Sequence, residues 1–119
     1  MYGHGNERGR RRGRIERFQV AAILLCLRER PAHGYDLLDR LPELLGDERV
    51  DVGNLYRVLR TLEEQGLVRS EWDEGAPGPA KRMYELTDAG RAALRRWAAS
   101  LGETRARIDR FLQRFDERR

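Results

Sequence analysis

The stretch DVGNLYRVLRTLEEQG, residues 51–66, sets Asn54, Tyr56, Arg57 and Arg60 close together near one end of a segment. These side chains suit recognition chemistry and no covalent chemistry. An amide such as Asn54 can pair bidentately with adenine, and a guanidinium such as Arg57 or Arg60 with guanine. A hydroxyl such as that of Tyr56 suits a phosphate oxygen, a contact that positions without reading sequence. Leu55, Val58, Leu59 and Leu62 recur at helical spacing and supply a buried stripe on the other side. A helix that needed only solubility could carry charges anywhere, so a polar cluster near one end marks an end that touches a partner. The plain alternative is a solvated face with Tyr56 partly buried.

A second basic set lies further on. The segments LVRSEWD and KRMYELT flank EGAPGPA. The flanks alternate like strands, and the centre, with two Gly and two Pro, must be a loop because proline cannot donate to a ladder. Lys81 and Arg82 sit where the loop returns, with Arg69 on the facing strand. These are candidates for phosphate or minor-groove contact, opposed by Asp73 and Glu74 at the loop's start.

Charge is unevenly placed. The 119-residue chain carries a formal +4, and residues 1–17 hold six Arg against two Glu, so the whole excess sits there. Arg10, Arg11 and Arg12 form its densest part. A basic arm on a neutral body is an electrostatic footprint for a polyanion, such as a narrow minor groove. Residues 1–14 are too polar to offset the entropy of ordering and are expected to be disordered until bound.

The elements that must position these groups follow from periodicity. From Ile15 to Arg30 the pattern is helical and apolar nearly all round. Ile15, Phe18, Ala22 and Leu25 make one stripe; Val20, Ile23, Leu24 and Leu27 cover the other side. Such a helix must be covered on both faces, which implies a partner surface. Pro31 ends it. A second helix carries Tyr35, Leu37, Leu38, Leu41 and Leu45, with a kink or end expected near Leu41 because of Pro42. Asp51 is placed to cap the third helix with its carboxylate, and Gly66 to close it near Gln65. Thr87, helped by Asp88, caps the last helix.

In that last helix Leu94, Trp97, Leu101, Thr104, Ile108, Phe111 and Phe115 alternate spacings of three and four, an unbroken heptad seam. Gly102 weakens it by about 1 kcal/mol, so the seam must pack on something. The expected dimer interface is Ile15, Phe18, Leu25, Leu94, Trp97, Leu101, Ile108, Phe111 and Phe115. Trp97 and Leu101, with Phe18 and Ala22, are candidates for lining a cavity shared by two chains. A flat tryptophan wall suits a small apolar or aromatic effector. The bland reading of the same residues is a packed core without a cavity.

Several classes are excluded. His4 and His33 are isolated, with no partners at metal spacing. There is no phosphate loop, nucleophile elbow or convincing carboxylate pair, so neither an enzyme nor a cofactor is expected. His33 is expected to start the second helix. Cys26, the only cysteine, lies in the densest apolar run and reads as a small buried hydrophobe. It allows no disulfide within one chain, and a reducing compartment fits. The longest apolar run, VAAILLCL, is far short of the ~20 residues that cross a bilayer. The N-terminal stretch has no apolar core after its charges and does not read as a secretory signal. The expectation is a cytoplasmic protein with no membrane partner.

Helix, helix, turn, helix, hairpin and long helix is the winged helix-turn-helix order. HGYDLL, GNLYRVLRTLEEQGLV and KRMYELTDAG together resemble the PadR family of bacterial transcriptional regulators, over residues 15 to about 100. The single helix after them is similar to the short subgroup. The resemblance implies double-stranded DNA as partner, Tyr56 as a DNA contact, and a homodimer built by the first and last helices. In some short members, it also implies apolar aromatic ligands bound between subunits. Two positions depart from the family pattern. Asp51 stands where Ser or Thr is common and puts a negative charge near phosphates. Arg57 stands where Pro is common and adds a basic contact.

The expected fold is therefore mainly α with a small β-hairpin: a disordered arm (1–14), a winged helix-turn-helix (15–88) and a long C-terminal dimerisation helix (89–119). The expected function is a dimeric repressor on an inverted-repeat operator, released by an apolar ligand. An architectural DNA-binding protein of low specificity and a winged-helix protein-interaction module remain as alternatives.

Overall fold

The computed structural model describes residues 18–46, 50–75, 78 and 81–117. The basic arm with Arg10, Arg11 and Arg12, and Ile15, expected to start the first helix, lie outside these residues. Helix α1 is described over 18–29, followed by β1 (Ala32–His33), α2 (Gly34–Leu44), α3 (Val52–Glu64), β2 (Val68–Asp73), β3 (Lys81–Leu86) and α4 (Asp88–Asp116). The expected mainly helical winged arrangement is present. The hairpin has gained a third strand: β1 pairs antiparallel with β3, giving the order β1-β3-β2. A two-residue strand has no periodicity to read, so only pairing reveals it.

One core serves all these elements. Ile23, Leu24, Leu37, Leu41, Leu55 and Leu59 are fully buried, and Val68, Tyr84, Leu86 and Leu94 close it from the sheet and α4. Each such aliphatic side chain contributes about 1.5–3 kcal/mol of burial. The chain itself also covers Ala21, Ala22, Cys26 and Leu27. The all-round apolarity of α1 is thus met mostly within one chain, and Phe18 is what remains exposed on it. Leu94 likewise belongs to the chain's own core. Tyr35, expected in the α2 stripe, lies outside the core, its ring stacked 5.0 Å from that of His33.

The helix ends are satisfied locally. Pro42 sits inside α2 without ending it, and the Leu45 amide still bonds the Leu41 carbonyl at 3.0 Å. Arg40 reaches the C-terminal end of α1, donating to the Cys26 carbonyl at 2.8 Å and to Glu29 at 3.0 Å. The same carbonyl also accepts the Arg30 amide at 3.2 Å, so Arg40 adds a second donor at the C-terminal end of α1. Asp51 is the N-cap of α3, but its side chain makes no capping hydrogen bond, contrary to expectation. Gly66 closes α3 at φ 76, where only glycine is unstrained. The Thr87 hydroxyl oxygen accepts the Gly90 amide at 3.0 Å and its O–H donates to the Gly66 carbonyl at 2.7 Å. One threonine therefore caps α4 and ties it to the end of α3. Beyond Trp97, every described residue of α4 is exposed.

Candidate nucleic-acid interface

Helix α3 buries Leu55, Leu59 and Leu62 and turns Tyr56, Arg57 and Arg60 outward. The 3.6-residue period puts these two sets on opposite sides. Gly53 and Tyr56 mark the helix start. A Cβ on Gly53 would meet only the Asp51 carboxylate, at 4.0 Å, so this turn is open to an approaching backbone. The Tyr56 ring folds back over Gly34 at the start of α2, leaving the residue 41% exposed. Arg60 makes no hydrogen bond or ion pair among the described residues.

Asn54 makes two contacts within the chain. It is half-buried, its amide Nδ2 donates to Gln19 Oε1 at 3.1 Å, and its Oδ1 accepts from Arg57 Nη2. Both polar ends are engaged inside the chain, which leaves one amide hydrogen and one oxygen lone pair for any base.

The wing separates Lys81 from Arg82. Successive residues of a strand face opposite ways. Arg82 pairs with Trp72 across the ladder, on the face towards α3. Its Nε donates to Ser70 Oγ at 2.9 Å, Ser70 donates to Glu63 of α3 at 2.8 Å, and the guanidinium lies 4.7 Å from the Trp72 ring centroid. Lys81 lies on the other face with its ammonium 4.4 Å above the Tyr35 ring. Arg69 is paired with Glu85. Asp73, expected to repel DNA at the wing's root, is instead bound to the His33 ring at 2.9 Å. The other ring nitrogen of His33 faces Asp36 at 3.2 Å, so this residue links α2 to the wing.

Electrostatics between α3 and the sheet centre on Tyr84. Burial pushes its phenol up; the Glu63 carboxylate adds to this, and the Arg82 guanidinium opposes it. Trp72, Ser70, Glu63, Gln19 and His33 were not singled out as interface residues by residue type. Trp72 could have been found by alternation along VRSEWD, had the register across the loop been known.

Away from α3, the four candidate ligand residues Phe18, Ala22, Trp97 and Leu101 do converge. With Leu25 and Leu94 they line a groove of about 250 Å³ between α1 and α4. Of the remaining interface candidates, Ile108 is 52% exposed and Phe111 and Phe115 are each 69% exposed. No group of residues able to hold a metal ion occurs among the described residues.

Residues 23–96, which hold both α3 and the wing, match the model of the transcriptional regulator PadR-like family. The chain belongs to this family. Members of this family are transcriptional regulators and not enzymes, and the chain shares their winged helix. It is 39% identical over 84 residues to the transcriptional regulator Rv3488 of Mycobacterium tuberculosis, covering 67% of this chain and 76% of that one. It is 36% identical over 79 residues to Rv1176c of the same organism, covering 66% of this chain but only 42% of that longer regulator. Among solved structures, a PadR family regulator from Eggerthella lenta superposes with a TM-score of 0.72 at 29% identity, covering 94% of this chain and 97% of its own. Bacillus subtilis PadR, solved in complex with operator DNA, superposes with a TM-score of 0.59 at 30% identity, covering 66% of this chain and 45% of its own. Among the described residues, no helix is long and apolar enough to cross a membrane.

Proposed function

We propose that the chain acts as a homodimeric repressor of an inverted-repeat operator. The observation that carries this reading is the placement of Tyr56, Arg57 and Arg60 outward on α3, with the helix's apolar stripe fully committed to the core. In such a dimer the two α3 helices enter successive major grooves roughly 34 Å apart. Tyr56 holds a phosphate, Arg57 and Arg60 meet base edges, and Arg82 and the arm reach backbone or minor groove. Lys81 contributes at longer range from the opposite wing face.

The dimer is supported by Ile108, Phe111, Leu112 and Phe115, which line the exposed end of α4. Apolar side chains in such a stripe normally find a partner. The effector reading is supported by the groove. At about 250 Å³ it lies below the ~300–1,000 Å³ typical of ligand pockets. Two copies facing each other would supply the volume for one flat apolar molecule between paired Trp97 rings. Such a ligand releases DNA only if it favours one inter-subunit angle over the other.

Selection from a random duplex pool with the full-length protein at near-physiological salt tests the proposal. Enrichment of a two-fold symmetric site supports it. Retention of DNA with no enriched sequence replaces it with the architectural reading, in which the arm and phosphates dominate. Absence of retention even at low salt, with and without planar aromatic compounds, overturns both.

A further inference from the structure

Gln19 is a polar residue in the first described turn of α1, and it is only 4% exposed. Its Oε1 accepts from Asn54 Nδ2 at 3.1 Å, and Asn54 Oδ1 accepts from Arg57. Amide oxygen and nitrogen are hard to tell apart by shape, yet chemistry orders this chain of bonds. A guanidinium can only donate. Asn54 must therefore turn its oxygen to Arg57 and its NH2 to Gln19, and Gln19 must answer with its oxygen. Gln19 Nε2 is then left buried with no acceptor among the described residues.

That leftover donor is informative. A buried N–H without an acceptor is a cost that an apolar side chain of equal length would not incur. Fold stability alone therefore gives no reason for glutamine here. What Gln19 does accomplish is to aim Asn54, which lies 35 positions away in sequence.

We propose that Gln19 is a positioning residue for DNA reading: through Asn54 it orients the Arg57 guanidinium on the outer face of α3. This rests on the reading of α3 as the recognition helix. Asn54 is then a spacer whose amide transmits orientation, and Arg57 is the group that meets DNA. The arrangement also places control of Arg57 on α1, where Phe18 and Ala22 line the groove beside α4. Rotation of α1 would draw Gln19 and hence Arg57 with it.

The test uses full-length wild type, Gln19→Met, Asn54→Ala, Arg57→Ala and the Gln19→Met/Asn54→Ala double variant. Each is titrated with the symmetric duplex that wild type enriches from a random pool, and with a shuffled duplex. Melting temperatures are measured alongside. The expected result is that Gln19→Met melts no lower than wild type. Its affinity for the enriched duplex should fall roughly tenfold, within the range of one lost base contact, while the shuffled duplex is unaffected. The double variant should be no weaker than Asn54→Ala alone, because both changes break one chain of bonds. Wild-type affinity of Gln19→Met for the enriched duplex overturns the proposal, and a loss in Arg57→Ala on the same duplex then leaves the recognition-helix reading standing. Equal losses on both duplexes with a lowered melting temperature also overturn it, by making Gln19 structural. If Arg57→Ala binds the enriched duplex like wild type, the recognition role of Arg57 falls and the relay falls with it. A pool without any enriched sequence overturns the operator reading itself, and the relay too.

Discussion

The Tyr56 ring occupies the space where a Cβ on Gly34 would stand: such an atom would lie 2.5 Å from the tyrosine hydroxyl oxygen. The ring end of a half-exposed tyrosine can swing away. Gly34→Ala should therefore fold, and the gain in helix propensity, below about 1 kcal/mol at this first helical position, should offset part of the repacking. The displaced hydroxyl should nonetheless leave its phosphate. Operator affinity is expected to drop by about as much as in Tyr56→Phe, with the melting temperature nearly unchanged. An affinity equal to wild type would show that the folded-back ring position is not the one used on DNA.

Gly90 makes the opposite case. A Cβ there would stand 2.1 Å from the Leu67 carbonyl oxygen, which is backbone and cannot swing. Gly90→Ala is expected to cost about 3 kcal/mol, at the upper end for overpacking, and to lower the melting temperature sharply. Denaturant unfolding reads this directly, without DNA.

Stability should fall at alkaline pH. Burial pushes both the Cys26 thiol and the Tyr84 phenol up. The folded chain then holds these protons longer than the unfolded chain. Their contribution is full below the ordinary values, about 8.5 for a thiol and about 10 for a phenol, and is lost as pH rises through the raised ones. Denaturant midpoints at about pH 7.5 and about pH 11 should differ more in wild type than in Cys26→Ala or Tyr84→Phe. An unchanged difference in both variants would assign the alkaline loss elsewhere.

The exposed end of α4 predicts an assembly defect that spares the fold. Phe111→Glu with Phe115→Glu removes no contact of the core, since both rings are exposed. Sedimentation should show a monomer with an intact melting transition and weakened operator binding. A dimer that survives the double substitution would place the interface elsewhere.

The groove can be probed through its tryptophan. Trp72 is 56% exposed at the wing and would obscure the signal, so the measurement uses a Trp72→Phe background. Titration with a neutral naphthalene-sized aromatic should quench Trp97 and lower operator affinity together. Quenching without any change in DNA binding would separate the groove from regulation.

Much of this was legible in residue order, because helix and strand rules act over a few positions. The stripe Leu55, Leu59, Leu62 implied the opposite face with Tyr56 and Arg60. Thr87 and Gly66 marked helix ends through local bonds, and the Pro- and Gly-rich loop implied the hairpin. Phe18, Ala22, Trp97 and Leu101 were grouped because each lies on the apolar side of its own helix.

Residue order alone sets which faces are apolar and where helices begin and end, since both depend on neighbours within about one turn. Which polar groups meet is settled by packing between elements. Strand register puts Arg82 on Trp72 and Lys81 on the opposite face, and a seven-position gap rich in Gly and Pro cannot encode that register locally. β1 exists because β3 lies beside it. His33 joins Asp73, and Gln19 joins Asn54, across 40 and 35 positions. Such pairs form when packed elements bring them within hydrogen-bond reach, and no local periodicity records that distance.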